Sequence, residues 1–307
     1  MINLSTRPPS VSVVMPVYNG GQYLTESIQS ILNQTFIDFE FIIIDDGSTD
    51  QSTNTISSFH DKRIIFQKNQ KNIGNYRSRN IGMKLARGKY ICVMDADDVA
   101  FPDRLAKQHA YMEQNKDIGI CGSFIQIIPS GHCPRFITDI EYLKVAFLSN
   151  NYCSHPSLIL RKELLNKHQL YYNEEYYYAA DFDLCARAFQ FFNIHNISDK
   201  LLQYRRHSGQ ISTAKYAEQQ KYADSIRINQ LIENLKFKPE EIATSLHLKL
   251  MKKEHIAEEL KTDLESWIET IIIKNNISKY YEDERLRSFL VYLSEECLRS
   301  NTLKIGN

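Results

Sequence analysis

The 307-residue sequence lacks the features that mark several classes of protein. It has no run approaching the ~20 consecutive apolar residues that a membrane span requires, and residues 1–10 contain no apolar core of signal-peptide length. The six cysteines include no Cys-x-x-Cys pair, which argues against a zinc site or a disulfide framework. Basic and acidic residues both number 37, so no global charge would attract nucleic acid. We therefore expect a cytoplasmic protein with reduced thiols and no nucleic-acid partner.

Two apolar runs in the chain each end in a group of carboxylates. The first run leads into Asp45 and Asp46, and the second leads into Asp95, Asp97 and Asp98. Short, β-branched apolar runs are typical of buried strands in a parallel sheet, and ligands of open α/β sheets bind beyond the carboxyl ends of such strands. Crowded carboxylates repel one another unless a cation or a donor-rich ligand joins them. The pattern favours a divalent metal that carries a phosphorylated substrate over two acidic surface turns.

Strand and helix signals alternate through the first half of the chain. The predicted strands are 11–15, 40–45, 63–67, 90–94, 118–127, 157–161 and 200–205. The predicted helices are 22–34, 51–59, 76–86, 103–115, 139–148 and 181–191. This order predicts an α/β fold with a mainly parallel central sheet flanked by helices. Beyond residue 214 the pattern is almost wholly helical, so we expect a domain at 1–213 and a helical appendage at 214–307.

An ordered set of short motifs runs through residues 11–210. In chain order they are Pro16-Val17-Tyr18-Asn19, Asp45-Asp46-Gly47-Ser48, Asn72-Ile73-Gly74, Arg79-Asn80, Asp95-Ala96-Asp97-Asp98, Ala180-Asp181 and Tyr204-Arg205-Arg206-His207. The set resembles family 2 glycosyltransferases of the GT-A fold, in the bacterial branch that builds lipopolysaccharide and capsule sugars. Within that branch it is similar to galactosyl- and N-acetylhexosaminyl-transferases. The resemblance implies a GT-A type nucleotide-binding fold and a UDP-sugar donor.

For the donor, the resemblance assigns residues beyond the first two strands to the nucleotide. Pro16, Tyr18 and Asn19 close the first strand, where a base can lie against an aromatic ring and be read by main-chain groups. Asp46 is expected to accept a hydrogen bond from the base or the ribose. Arg79 is expected to offer paired guanidinium donors to a phosphate or a base carbonyl.

The second acidic group resembles the DXD signature, which holds Mn²⁺ or Mg²⁺ together with the donor diphosphate. Because side chains alternate after a strand, the three acids cannot all point the same way. We expect Asp97 to face the donor sugar and ribose, Asp98 to bear most on the metal, and Asp95 to support both. His207 lies in a loop that the family pattern closes over the diphosphate.

The family's catalytic base is the Asp of a Glu-Asp pair that opens a helix, and the matching residue is Asp181. It would take the proton of an acceptor hydroxyl. Ala180 stands where Glu is usual, so either Glu174 or Glu175 compensates or the second acid is dispensable. The resemblance implies an inverting, metal-dependent transfer of a hexose or N-acetylhexosamine to a glycan or lipid-linked saccharide acceptor, as in cell-surface polysaccharide or lipopolysaccharide biosynthesis.

Two other functions stay open. A sugar-nucleotide pyrophosphorylase shares the α/β nucleotide layer and the metal carboxylates, but Gly20-Gly21 lacks the flanking Lys or Arg of its phosphate loop. A catalytically degenerate UDP-sugar binding module is favoured by Ala180. Lys249 and Lys252 would allow peripheral contact with the cytoplasmic face of the inner membrane, although mixed charge nearby favours a solvated helix face.

Overall fold

The computed structural model describes residues 7–207, 210 and 215–299. The chain divides into two compact units. One unit comprises Met1–Thr138 and Cys153–Tyr216, and the other comprises Asp139–Tyr152 and Ala217–Asn307. The helix of residues 140–146 thus belongs to the same unit as the C-terminal helices. The predicted division at 213/214 placed this helix in the first domain. Within the described ranges, no helix combines the length and apolar character needed to cross a membrane.

The larger unit is built on one mixed sheet. Its described strands are β1 Val11–Val17, β2 Phe39–Asp45, β3 Ile64–Lys68, β4 Tyr90–Val93, β5 Val99–Ala100, β6 Ile118–Ile128, β7 Ile159–Arg161 and β8 Asn193–Arg205. They lie in the order β3-β2-β1-β4-β7-β6-β8-β5. The four strands β3, β2, β1 and β4 are mutually parallel, and β6 is parallel to β8. Strand β7 is antiparallel to β4 and β6, and β5 is antiparallel to β8. The predicted α/β class is confirmed.

Helices cover the sheet and form the second unit. In chain order they are α1 Leu24–Leu32, α2 Ser52–Ser57, α3 Asn75–Leu85, α4 Arg104–Gln114, α5 Ile140–Ala146, α6 Lys162–Lys167, α7 Ala180–Ala188, α8 Tyr216–Leu235, α9 Glu241–Lys252, α10 Lys261–Ser278 and α11 Asp283–Leu298. Short 3₁₀ segments lie at Gly21–Tyr23, His155–Ser157 and Glu258–Leu260. Every position of β1 and β2 is buried, as expected of strands covered on both faces.

Helix α3 lies unusually close to β1, and this contact positions the site described below. Gly82 faces Val14 so closely that an added Cβ would sit 2.4 Å from a Val14 methyl group. A side chain at residue 82 would therefore push the helix away from the strand. The close approach brings the amino-terminal half of α3 to the carboxyl end of the sheet, where Tyr76 and Arg79 project.

The second unit has its own apolar core, which includes Leu246, Leu264, Ile271 and Leu290. Helix α5 joins it through edge-to-face packing of Tyr142 on Phe289, with ring centroids 5.9 Å apart.

All six cysteines are free thiols and five of them are buried.

Candidate active site

The loops after β1 and β2 are tied together at the carboxyl edge of the sheet. The Asn19 backbone N–H donates to Ser48 Oγ at 3.0 Å, and Asn19 Oδ1 accepts from the Thr49 N–H at 2.9 Å. Pro16 is buried within β1, whereas the Tyr18 ring is 50% exposed beside it. The edge therefore presents one accessible aromatic ring on a loop whose shape Asn19 holds.

Asp46 organises the segment that leads into α3. Its carboxylate accepts from the Asn69 side chain at 2.9 Å, the Ile73 N–H at 3.0 Å and the Gly74 N–H at 2.9 Å. Gly74 has φ +99°, and an added Cβ would lie 2.8 Å from the Tyr177 ring, so glycine is needed there. An ionised carboxylate has about four acceptor positions. Three are taken, and Asp46 is only 1% exposed, which leaves little of it for a ligand.

Arg79 is fully buried and joins the ends of β1 and β4. One guanidinium nitrogen donates to the Val14 and Met94 carbonyls at 3.3 and 3.1 Å. The other donates to Asp95 Oδ1 at 2.5 Å. The guanidinium predicted to contact the donor thus holds Asp95 in place, and a direct phosphate contact would require it to leave these partners.

The remaining two acids after β4 differ in exposure. Asp97 has a side chain 29% exposed, and its Oδ2 lies 2.9 Å from His207 Nε2. Burial and then the charge of Asp95 raise the pKa of Asp97, while the His207 contact opposes this rise. Asp98 has no exposed surface; its Oδ1 accepts from the Arg205 N–H at 2.9 Å. Its Oδ2 is a buried oxygen with no hydrogen-bond partner among the described residues, and burial, then Asp95 and Asp97, raise the Asp98 pKa well above its usual range.

Arg205 fastens the end of β8 to this acidic turn, a role that sequence reasoning missed. Its Nε donates to the Asp97 carbonyl at 2.8 Å and its Nη2 to Glu26 at 2.6 Å. The guanidinium also lies over the Tyr23 ring, 4.5 Å from the centroid. The sequence shows two adjacent arginines at positions 205 and 206, but nothing in it indicates that Arg205 pairs with Glu26.

Asp181 is the second residue of α7 and faces Tyr76 of α3. The Tyr76 hydroxyl donates to Asp181 Oδ1 at 3.0 Å. Burial, and then the charge of Asp181, raise the Tyr76 pKa well above its usual range, so this phenol stays protonated and able to donate. The N-cap position of α7 is Ala179, so Asp181 is not the capping residue. The Tyr76 contact was not predicted, and its only sequence signal is its position one turn before Arg79.

The residues proposed to replace the missing acid lie elsewhere. Ala180 is fully buried, and Glu174 is paired with Arg77 at 2.5 Å on an exposed surface. The Glu175 N–H donates to Asn173 Oδ1 in another exposed contact. The described contacts of Asp181 include the Tyr76 phenol.

His155 lies behind this pair. Its Nε2 is 2.8 Å from the Tyr172 hydroxyl, and the Tyr172 ring stacks on Tyr76 with centroids 5.2 Å apart. Burial, with Arg79 adding to it, lowers the pKa of His155 to about 4. The imidazole is therefore neutral at neutral pH, and the three rings pack together to support the face that carries Asp181.

A cavity of about 430 Å³ joins the two acidic centres. Asp95 and Asp181 both line it, together with His155. A volume in this range suits a small-molecule ligand. The structure thus brings Asp95 of the acidic turn and the predicted base on α7 to one space, whereas Asp97 and Asp98 do not line it. Arg79 and Tyr76 of a single helix hold one acid each.

The acidic turn suits a metal ion only when a ligand supplies further oxygen atoms. No group of three or more His, Cys, Asp or Glu side chains in the described part of the chain is arranged to hold one alone. Magnesium and similar ions on nucleotides are usually bound by one or two carboxylates plus phosphate oxygens. Asp97 is partly accessible, and burial, followed by the charge of Asp95, raises its pKa; a cation would offset the charge repulsion, so Asp97 fits this role. The buried Asp98 is less accessible to an ion that also contacts a diphosphate.

Comparison with known sequences gives consistent matches. The family model described as Glycosyl transferase family 2 matches residues 12–168. An uncharacterized glycosyltransferase of Methanocaldococcus jannaschii is 40% identical over 207 residues, covering 64% of this chain and 71% of that protein. An uncharacterized glycosyltransferase of Haemophilus influenzae is 34% identical over 234 residues, covering 71% of this chain and 72% of that protein.

Solved structures share the fold. S. aureus TarS, in a crystal structure with UDP-GlcNAc, is similar with a TM-score of 0.62 and 19% identity, covering 94% of this chain and 88% of that one. A mannosyltransferase of Pyrobaculum calidifontis in complex with GDP-Man and Mn²⁺ is similar with a TM-score of 0.57 and 12% identity. That match covers 96% of this chain and 89% of the mannosyltransferase.

Proposed function

The chain belongs to glycosyl transferase family 2, and from that premise we propose that it is an inverting, metal-dependent transferase that moves a hexose or N-acetylhexosamine from a UDP-sugar. The acceptor is a glycan or a lipid-linked saccharide. The observation that carries the proposal is the shared cavity, because Asp95 of the acidic turn and Asp181 of α7 line the same space. A transferase needs both a donor site and a base within reach of one reacting carbon.

The donor is proposed to lie along the carboxyl edge of the sheet. The exposed ring of Tyr18 offers a surface for the uracil, and Asn19 and Asp46 hold the two loops that frame it. Pro16 contributes through the backbone of β1. Two structural relatives bind UDP-GlcNAc in one case and GDP-Man with Mn²⁺ in the other. These complexes support a nucleotide-sugar donor without selecting the sugar.

Asp97 is proposed to hold Mn²⁺ or Mg²⁺, with His207 beside it. When bound, the ion supplies neutralisation of the negative charge that develops on the departing diphosphate. Asp98 braces the end of β8 through its bond with the Arg205 N–H, which keeps His207 next to Asp97. Arg79 acts through Asp95, whose carboxylate it orients toward the cavity.

Asp181 is proposed to be the general base. As the acceptor oxygen forms its bond to the anomeric carbon, the hydroxyl proton passes to the Asp181 carboxylate and the bond from that carbon to the phosphate oxygen breaks. Attack opposite the leaving group inverts the configuration. The Tyr76 phenol, which donates to Asp181 Oδ1 at 3.0 Å, orients the carboxylate in place of a second acid at position 180.

A UDP-sugar donor and a lipid-linked acceptor would place the protein in the cytoplasm, at the cytoplasmic face of the inner membrane. Lipopolysaccharide or cell-surface polysaccharide biosynthesis follows from the resemblance of motifs such as Ala180-Asp181 and Arg205-Arg206-His207.

The proposal is tested by incubating the full chain with UDP-glucose, UDP-galactose, UDP-GlcNAc and UDP-GalNAc, each with Mn²⁺, with Mg²⁺ or with EDTA. We expect metal-dependent UDP release from one donor. With methyl glucoside, glucose 6-phosphate or glucuronate supplied as the acceptor, an α-linked donor should give a β-glycoside by proton NMR. Retention of the α configuration contradicts the inverting mechanism. UDP binding without release from any donor would identify a degenerate binding module.

A further inference from the structure

The cavity has lining residues that the proposed reaction does not use. They include an apolar wall formed by Ile125, Ile127, Pro134 and Phe136. Arg206 is the cationic side chain that lines the same cavity. Its backbone N–H donates to the Ile128 carbonyl at 3.0 Å, which extends the pairing of β8 with β6.

Arginine side chains in this protein almost always have an acceptor. Guanidinium groups bonded to carboxylates, carbonyls or hydroxyls are those of Arg63, Arg77, Arg79, Arg87, Arg104, Arg161, Arg187, Arg205, Arg227, Arg285, Arg287 and Arg299. Arg7 also has an interaction. Across the described ranges, Arg135 and Arg206 are the two arginines with no side-chain hydrogen bond or ion pair. Of these two, Arg206 lines the cavity, whereas Arg135 is an exposed residue between the lining residues Pro134 and Phe136.

No acid in the neighbouring sequence is available to pair with these two groups. Residues 118–138 and 200–217 contain neither Asp nor Glu. Of the two acids that line the cavity, Asp95 is already bonded to the buried Arg79, and Asp181 accepts from Tyr76. The wall is therefore cationic and apolar, a combination that suits a ligand with an oxyanion and an apolar face.

The direction of Arg206 separates it from the donor's metal centre. Successive side chains of a strand point to opposite faces, and Arg205 is directed to the Asp97 carbonyl and Glu26. Arg206, the next residue, lines the cavity together with Tyr204 and Asp181. A group bound by Arg206 therefore lies in the cavity that contains the proposed base.

We propose that the acceptor is an anionic saccharide whose phosphate or carboxylate binds Arg206. The apolar face of the acceptor packs on Phe136 and Ile127, and its reacting hydroxyl lies at Asp181. This inference rests on the proposed function, since it describes the acceptor of that same reaction.

The test compares matched acceptors with the donor that the UDP-sugar panel identifies. Methyl glucoside is the neutral acceptor, glucose 6-phosphate carries a phosphate, and glucuronate carries a carboxylate. Their transfer rates and, with UDP present, their affinities by titration calorimetry are measured for the unmodified chain and for Arg206→Gln. Arg206→Lys keeps the charge without the paired donors. Arg287→Gln is the control, because it removes an exposed arginine of α11 that is paired with Asp283.

We expect one of the two anionic acceptors to exceed methyl glucoside by roughly 10- to 100-fold in kcat/KM or affinity, as a charge-assisted bond predicts. The phosphate and carboxylate arms show which oxyanion is selected. Arg206→Gln should abolish the preference, Arg206→Lys should retain part of it, and Arg287→Gln should leave it unchanged. The KM of the donor should stay within about twofold in all of them.

Two results would overturn the inference. Equal use and equal binding of neutral and anionic acceptors would show that the wall does not select charge. A rise in donor KM in Arg206→Gln, with acceptor preference unchanged, would assign Arg206 to the diphosphate. In both cases, UDP release by the unmodified chain would leave the proposed function intact. If the unmodified chain released no UDP from any donor, the proposed function would be contradicted. The calorimetry would still decide whether the cavity prefers anionic saccharides.

Discussion

Replacing Tyr76 with Phe tests how Asp181 is held. The substitution removes one hydroxyl, whose bond to Asp181 Oδ1 is 3.0 Å long, and keeps the ring that stacks on Tyr172. A hydrogen bond to a charged group contributes about 1.5–3 kcal/mol, and the lower half of that range applies to a carboxylate that water can reach. We therefore expect kcat to fall by roughly 10-fold.

The assay is UDP release at saturating donor. Tyr171→Phe is the matched control, since it removes a hydroxyl bonded to Asn166 Oδ1 at 3.2 Å and not to Asp181. The kcat of Tyr76→Phe should fall while its donor KM stays unchanged, and Tyr171→Phe should leave both constants unchanged. An equal loss of kcat in Tyr171→Phe, or a loss in Tyr76→Phe that lies in the donor KM alone, would refute a positioning role for Tyr76.

Two further predictions concern stability. Arg79→Met leaves Asp95 without its 2.5 Å partner and the Val14 and Met94 carbonyls without a donor. The substitution should lower the free energy of unfolding, measured by urea denaturation, by about 3 kcal/mol. A loss below ~1 kcal/mol would contradict the bracing role of Arg79. Burial, with Arg227 adding to it, lowers the pKa of His247 from 6.5 to about 3. Between these two pH values the unfolded chain binds a proton that the folded unit does not. The free energy of unfolding should therefore be at its full value above pH 6.5 and fall on acidification by up to about 1.4 kcal/mol per pH unit. Trp267, the single tryptophan, lies 5.8 Å from His247 and reports the transition by fluorescence; His247→Leu should flatten the slope, and an unchanged slope would contradict this assignment.

Much of the fold was predictable because the apolar runs are long and regular. Strands β1, β2 and β4 and helices α3 and α4 lie within one or two residues of their predicted ends. The periodicity of short runs carries no information on strand direction, so the antiparallel setting of β7 was not foreseen. The two-residue strand β5 and helix α6 were missed because neither is long enough to show a period.

The site shows the same limit. The acidic residues were found because several carboxylates after a buried strand are chemically unusual, and Asp181 was found through the motif resemblance. Their partners come from distant parts of the chain: Tyr76 is 105 residues from Asp181, and Arg205 is 179 residues from Glu26. Arg79 was predicted to contact the ligand, but it is fully buried. Its burial follows from the close packing of α3 on β1, which depends on Gly82 and is not visible in the local sequence.

The central claim is that Asp181 accepts the acceptor's proton while the donor is held by the acidic turn after β4. Single-turnover transfer by Asp181→Asn tests it most directly, with Asp199→Asn, an exposed change on β8, as the control. The account predicts unchanged affinity for the UDP-sugar and a rate of chemistry lower by roughly 10²- to 10⁴-fold, the usual contribution of a general base. A transfer rate in Asp181→Asn equal to that of the unmodified chain would contradict the account.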